Sequence, residues 1–144
     1  MEAVVKARLS RAERALVELA EDAVARAHAP RTGVQVGAAV LTPRGAYGGC
    51  NVESVISGLG ICAERSAVNH AVLHEGPTVS IVALAVAWKR RERIRPCGAC
   101  LQYLSEFAAP AARILMAAPP GAPVEVSCLG ELLPYRYALP PGGR

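Results

Sequence analysis

Residues 62–100, CAERSAVNHAVLHEGPTVSIVALAVAWKRRERIRPCGAC, contain two cysteine-bearing segments separated by one helix and one strand. The apolar spacing predicts a helix over residues 62–74, which a Gly-Pro pair ends. Residues 79–87 form an apolar run without alternation, which is typical of a strand covered on both faces. A second helix is predicted over residues 97–108. Each cysteine-bearing segment is therefore expected to begin a helix.

The chain on either side of this segment supplies further helices and strands. A capping box, Ser10-x-x-Glu13, starts a helix that ends near His28. Further strands are predicted at residues 34–42, 46–52, 113–117 and 124–128, before a last helical turn at 131–133. This order predicts an α/β fold in which one mixed five-stranded sheet lies between two helix layers, as a three-layer α/β/α domain spanning residues 1–144.

The composition excludes several classes of protein. The 144 residues are 52% hydrophobic and the net charge is only +4, which is not the composition of a disordered chain. The longest apolar run, residues 81–88, is far too short to cross a bilayer, and the first residues do not form a secretory signal. We therefore expect a cytoplasmic protein without a membrane segment. Only 4% of the residues are aromatic, and such a thin core favours self-association.

The cysteines are the strongest chemical signal in the sequence. Cys97 and Cys100 form a C-x-x-C pair, and Cys62 lies one strand and one helix upstream. At the start of a helix, free amides and the positive end of the helix dipole favour thiolates, which are good zinc ligands. Three strong ligands leave a fourth tetrahedral position open, and this is the catalytic arrangement of zinc. The alternative is a structural zinc with Cys50 or Cys128 as a fourth ligand.

Two charged residues lie two and three positions after Cys62. Glu64, in the first turn of the predicted helix, is placed to relay a proton without ligating the metal. Arg65 is a candidate donor to a thiolate, where it would draw negative charge off the sulfur. The pattern C-x-E followed by P-C-x-x-C matches the three-cysteine form of the zinc deaminase signature.

The chain resembles the cytidine deaminase family in its small-subunit, three-cysteine form. The similar stretches are residues 36–39, 49–53, 58–65, 96–100, 102, 106–107 and 131–134. The resemblance implies a cytidine deaminase-like fold and the hydrolytic deamination of cytidine or deoxycytidine to uridine or deoxyuridine, in pyrimidine salvage. It also implies a homotetramer, with a dimer as the alternative.

The resemblance also assigns roles to residues. Cys62, Cys97 and Cys100 would bind one zinc ion per subunit, and Glu64 would be the catalytic proton shuttle. The ribose 3′-hydroxyl would be held by Asn51 and Glu53. The base would contact the backbone at Ala63 and Pro96.

The chain departs from the family pattern around the base and at the neighbouring subunit. Arg31, Val34 and Ser57 stand where the family carries aromatic residues, and Val34 occupies the position that packs on the pyrimidine. Leu101 replaces an arginine. Ser57 and Tyr137 would belong to the pocket of the neighbouring subunit, and Tyr137 replaces a phenylalanine. These changes open the alternative of another amino-nucleoside substrate, such as a modified cytidine or a blasticidin-like antibiotic.

Two further classes of function are less consistent with the sequence. The basic segment 89–95 leads into Cys97 and is either a solvated loop or the border of a pocket that attracts phosphate or nucleic acid. A nucleic-acid deaminase needs aromatic platforms, and the whole chain has six aromatic rings. A structural zinc module without activity is the other class. His70 and His74 are interpreted as packing residues.

Overall fold

A single mixed sheet organises the chain. The computed structural model describes the backbone of residues 2–4 and then residues 8–90, 93–117 and 122–139. Its strands are β1 (Glu2–Val4), β2 (Val36–Leu41), β3 (Ala46–Cys50), β4 (Ile81–Trp88), β5 (Ala108–Met116) and β6 (Val124–Cys128). They lie in the order β1-β6-β5-β4-β2-β3. The β4 and β5 strands are parallel, and all other neighbours are antiparallel.

Helices cover both faces of this sheet. The helices are α1 (Arg11–Ala23), α2 (Ala63–Glu75), α3 (Gly98–Leu104) and α4 (Leu129–Leu132), and a 3₁₀ turn (Val24–Arg26) follows α1. The α1 helix packs on one face, where the sheet presents mainly alanines. The other three pack on the opposite face, against larger side chains such as Leu84, Ile114 and Met116. The predicted three-layer arrangement is confirmed.

The differences from the predicted elements have local causes. All five predicted strands are present, and the short β1 adds a sixth at the edge beside β6. The α3 helix ends at Leu104, earlier than predicted, because Ser105 satisfies the last turn with both its backbone amide and its hydroxyl. Pro110 therefore lies inside β5, in the stretch where the pairing with β4 is irregular, which is where a strand tolerates proline.

Two glycines allow helices to lie directly on the sheet. A Cβ atom on Gly37 would come within 2.0 Å of the Ala20 carbonyl oxygen of α1. A Cβ atom on Gly49 would come within 2.3 Å of the Ala67 amide nitrogen of α2. Because the opposing atoms are backbone atoms, neither side can adjust by changing a rotamer. The position of α2 on β3 is therefore fixed by Gly49.

Some predictions lie partly outside the described residues. Arg91 and Glu92 of the basic segment, and the turn at 119–121, belong to that part of the chain. None of the described helices has both the length and the apolar character needed to span a bilayer.

Candidate active site

Two helix starts bring three cysteines together. Cys62 precedes the first residue of α2, and Cys97 precedes the first residue of α3. Cys100 lies in the first turn of α3, where its amide donates to the Cys97 sulfur at 3.4 Å. The three Sγ atoms lie within 4.8 Å of one another. Three converging sulfurs at two helix starts suit a soft, tetrahedral ion such as zinc.

The described residues contain no fourth protein ligand for this cluster. Cys62, Cys97 and Cys100 form the sole group of three or more metal-ligating side chains in that part of the chain. Cys50 and Cys128 are half-buried elsewhere and do not join the group. The donor set is therefore the three-ligand set of a catalytic zinc, and the alternative of a four-cysteine structural site finds no support.

Glu64 lies next to the sulfur cluster in the first turn of α2. Its residue surface is only 5% exposed. Burial raises the pKa of Glu64 above the usual glutamate range, although contacts with Cys100 and Arg65 act in the opposite direction. Burial and the charge of Glu64 likewise raise the pKa of the Cys100 thiol. A carboxyl group with a raised pKa is suited to taking up and returning a proton near neutral pH.

Arg65 contacts the cluster from the other side. Its Nη2 atom donates to the Cys62 sulfur at 3.7 Å, and this bond is the main reason why the pKa of Arg65 is raised. Its Nε atom is buried and has no hydrogen-bond partner among the described residues. The guanidinium therefore places positive charge beside the Cys62 sulfur. Such a contact lowers the electron density that the sulfur gives to a metal.

A small cavity opens directly above these groups. It has a volume of about 200 Å³ and is lined by Val36, Asn51, Cys62, Ala63, Glu64, Ile94, Arg95 and Cys97. A larger cavity of about 370 Å³ adjoins it, since Asn51 and Cys62 line both. The predicted residues Asn51 and Ala63 are thus beside Glu64. Ile94 and Arg95 belong to the basic segment 89–95, for which the sequence left a solvated loop and the border of a pocket as alternatives, and both residues line this cavity.

Asn51 is held by the backbone of the chain that enters β2. Its Nδ2 atom donates to the Val34 carbonyl at 2.8 Å, and its Oδ1 atom accepts from the Val36 amide at 2.7 Å. These bonds fix the side chain at the boundary of the two cavities. Asn51 therefore has a structural role in addition to any contact with a substrate.

Glu53 is held from the other wall of the larger cavity. Its carboxylate accepts from the backbone amides of Arg31, at 2.8 Å, and Thr32, at 3.3 Å, and also from the Thr32 hydroxyl. The bond from the Thr32 hydroxyl is the main cause that lowers the pKa of Glu53. The Arg31 side chain donates to the Val55 carbonyl at 2.9 Å. Arg31 thus ties the loop after Glu53 to the segment before β2.

The other predicted contact residues are less central. Val34 packs half-buried against the core and does not line either of these cavities. Ser57 lines the larger cavity from an exposed loop. Tyr137 is 69% exposed, and its backbone is tied to the Gln102 side chain of α3. Within this chain, Tyr137 does not line either cavity.

His70 and His74 lie on α2 and do not belong to the sulfur cluster. Their rings contact each other and the Tyr47 ring, with centroid distances of 4.8 to 5.6 Å. The His70 Nδ1 atom also lies 2.8 Å from the Gly48 carbonyl oxygen. These contacts agree with their interpretation as packing residues.

Comparison with known proteins places this site in a family. Residues 10–116 match the family described as the cytidine and deoxycytidylate deaminase zinc-binding region. The chain belongs to this deaminase family. The match covers every residue of the sulfur cluster, Glu64 and Arg65, so the predictions of the family and of zinc as its cofactor are confirmed.

Individual relatives are similar to this chain over most of its length. A cytidine deaminase of Mycobacterium tuberculosis is 36% identical over 121 residues, which are 83% of this chain and 85% of that protein. A probable cytidine deaminase of Dictyostelium discoideum is 42% identical over 93 residues, which are 63% of this chain and 62% of that protein. The crystal structure of a cytidine deaminase from Burkholderia pseudomallei has a TM-score of 0.78 at 35% identity, covering 90% of this chain and 100% of that one.

Proposed function

We propose that this chain catalyses the hydrolytic deamination of cytidine and deoxycytidine to uridine and deoxyuridine, with release of ammonia. The observation that carries the proposal is the buried carboxyl group of Glu64 beside three converging sulfurs, at a cavity. Relatives named cytidine deaminase support the choice of substrate.

Cys62, Cys97 and Cys100 would hold one zinc ion per subunit. When bound there, zinc supplies a Lewis acid that makes water a nucleophile at neutral pH. Arg65, which donates to the Cys62 sulfur, offsets the negative charge of the thiolates.

Glu64 moves the protons in the proposed reaction. It accepts the first proton of the attacking water and gives it to the ring nitrogen N3, while the water oxygen bonds to C4. It then takes the remaining hydroxyl proton and gives it to the amino group. The C4–N bond breaks, ammonia leaves, and the oxygen becomes the C4 carbonyl. A carboxyl group whose pKa is raised by burial suits this alternation.

The substrate contacts follow from the resemblance and from the cavity walls. Asn51 and Glu53 would hold the ribose, and the backbone at Ala63 and Pro96 would contact the base. By the resemblance Val34 would pack on the pyrimidine, although it lines neither cavity within this chain. Both polar side chains already have backbone partners, which orients them before a substrate binds.

Assembly and location are part of the same proposal. We infer one domain over residues 1–144 that forms a cytoplasmic homotetramer, or alternatively a dimer, in pyrimidine salvage. Val55, Ile56 and Leu59 are strongly exposed on the loop that also carries Ser57, and burial of this loop would favour assembly. Ser57 and Tyr137 would then complete the pocket of a neighbour.

Ammonia release from a panel of nucleosides tests the proposal. Zinc-loaded protein should release ammonia from cytidine and deoxycytidine, and should not act on adenosine or on single-stranded oligonucleotides. Absence of cytidine turnover by protein with one zinc per chain would refute it.

A second candidate is deamination of a modified cytidine or a blasticidin-like nucleoside. It is favoured by Arg31 and Ser57, which line the larger cavity where the family has rings. The same panel should include 5-substituted cytidines and blasticidin S. A higher kcat/KM for one of these than for cytidine would favour this candidate.

A further inference from the structure

The basic segment before the second cysteine motif contributes a side chain to the reaction cavity. Arg95 lines the small cavity together with Glu64 and the Cys62 and Cys97 ligands. Its side chain is 56% exposed, so the guanidinium lies at the mouth of the cavity rather than at its buried end. The zinc chemistry described above does not use this residue.

A buried carboxylate holds Arg95 in place. The Arg95 Nη2 atom donates to both oxygens of Glu125 on β6, at 3.0 and 3.1 Å. Glu125 also accepts from the Arg93 Nη1 atom at 3.0 Å, and its side chain is only 6% exposed. A single carboxylate therefore fixes two arginines.

This arrangement leaves positive charge and free donors at the mouth of the cavity. Two guanidinium groups share one carboxylate, so the group of Arg93, Arg95 and Glu125 has a net positive charge. Within the described residues, the Nε and Nη1 atoms of Arg95 have no hydrogen-bond partner. The free N–H donors of a guanidinium bind phosphate and carboxylate oxygens by charge-assisted hydrogen bonds.

We infer that Arg95 is a specificity-determining residue that favours aminopyrimidine nucleosides carrying an oxyanion, either a phosphate or a carboxylate, over neutral nucleosides. The inference rests on the proposed deaminase function and adds a substrate class to it. Arg95 binds the anionic group at the mouth, while Glu64 and the sulfur cluster act on the base. Glu125 is the positioning residue for Arg95.

The test compares three substrates of one reaction. Cytidine, cytidine 5′-monophosphate and 5-carboxycytidine distinguish a neutral substrate, a phosphate on the sugar and a carboxylate on the base. The zinc-loaded protein should have a higher kcat/KM for one of the two anionic substrates than for cytidine. Arg95→Gln should lower the kcat/KM of that anionic substrate relative to cytidine about tenfold or more, mainly through a higher KM for the anionic substrate.

A matched control lies in the same segment. Arg90→Gln removes the same charge, but Arg90 lies over the Trp88 ring, 5.6 Å from its centroid, and does not line the cavity. It should leave the substrate ratio unchanged. Glu125→Gln keeps the Arg95 side chain but removes the carboxylate that holds it. The kcat/KM ratio of anionic substrate to cytidine should then lie between those of the wild type and Arg95→Gln. If Arg90→Gln and Arg95→Gln lower the preference for the anionic substrate equally, the preference comes from general electrostatic attraction to the basic segment. That result would overturn the inference.

Binding of products separates this inference from the proposed function. Calorimetry measures the affinities of uridine, uridine 5′-monophosphate and 5-carboxyuridine without any turnover. If an anionic product binds more tightly in a manner that depends on Arg95, the inference holds even where cytidine is not deaminated. If cytidine is deaminated and neither anionic compound is preferred in turnover or binding, the inference fails and the proposed function stands.

Discussion

The metal cradle and the pocket rim are built by different means. The metal cradle consists of Cys62, Glu64, Arg65, Cys97 and Cys100, and it is made from the starts of α2 and α3. The pocket rim consists of Arg31, Glu53, Ser57 and Arg95. These side chains project from loops. Arg31 donates to the Val55 carbonyl, Glu53 accepts from the Arg31 amide, and Arg95 donates to Glu125. In this chain the helix starts carry the residues proposed for the chemistry, and the loops carry the residues proposed to select the substrate.

Removing a cradle sulfur should have the largest effect. Cys100→Ala deletes a sulfur that is 2% exposed and lies within 4.8 Å of the other two. We expect loss of the bound zinc and of all measurable deamination, as determined by metal analysis and ammonia release. Cys50→Ala, outside the cluster, is the control and should keep both. Full zinc content in Cys100→Ala would contradict the three-sulfur site.

Glu64→Gln should separate chemistry from metal binding. The amide cannot relay a proton, so kcat should fall by about 10² to 10⁴-fold, the usual contribution of a general acid–base group. Zinc content and thermal unfolding should remain close to the wild type. Glu106→Gln, an exposed glutamate beyond α3, should retain activity. Unchanged kcat in Glu64→Gln would remove this residue from the mechanism.

Gly49→Ala tests whether the cradle depends on the helix position. The added methyl group would lie 2.3 Å from the Ala67 amide nitrogen, so α2 must move away from β3. Such overpacking costs about 1–3 kcal/mol in the free energy of unfolding, and denaturant unfolding measures it. Gly98→Ala is the matched control, because a Cβ atom there meets nothing within 4 Å. Equal stability of the two variants would show that α2 is not held at Gly49.

Asn51→Ala tests a residue shared by the two cavities. It removes bonds to the Val34 carbonyl and the Val36 amide, which should lower the free energy of unfolding by about 1–3 kcal/mol. We also expect a higher KM for cytidine. A higher KM with unchanged unfolding would assign Asn51 to the substrate alone, whereas lower stability with unchanged KM would assign it to the scaffold alone.

The smallest expected effect is a pH dependence of thermal stability that arises from Glu125, the carboxylate that holds Arg95 at the pocket rim. The hydrogen bond from Arg95 is the main cause that lowers the pKa of Glu125 below the unfolded value. Its stabilisation is therefore present above the unfolded pKa and is lost as the pH falls through the folded pKa. The difference in Tm between wild type and Glu125→Gln should shrink as the pH falls below about 4.5. A difference that is constant over this range would argue against the ion pair.

The cradle was predictable from sequence because its residues lie in short motifs. Cys62, Glu64 and Arg65 lie within four consecutive positions. Because these positions start a helix, the backbone fixes the orientation of all three side chains. For the segment that ends at Arg95 the sequence left a solvated loop and a pocket border as alternatives, because the orientation of Arg95 depends on Glu125, thirty residues later on β6. The early end of α3 depends on the Ser105 hydroxyl, which donates to the Gln102 carbonyl in place of a backbone amide of a longer helix. The edge strand β1 was missed because a strand of three residues gives almost no periodic signal.

The two close glycine contacts also indicate where variation is tolerated. At Gly37 and Gly49 the opposing atoms are backbone, so no neighbouring side chain can be exchanged to compensate for a larger residue. Arg31, Ser57 and Arg95 have exposed side chains on loops, so a different side chain there meets no backbone of the sheet. A library aimed at new nucleosides should keep both glycines constant and randomise these three positions. Selection for altered specificity could then proceed without loss of the zinc site.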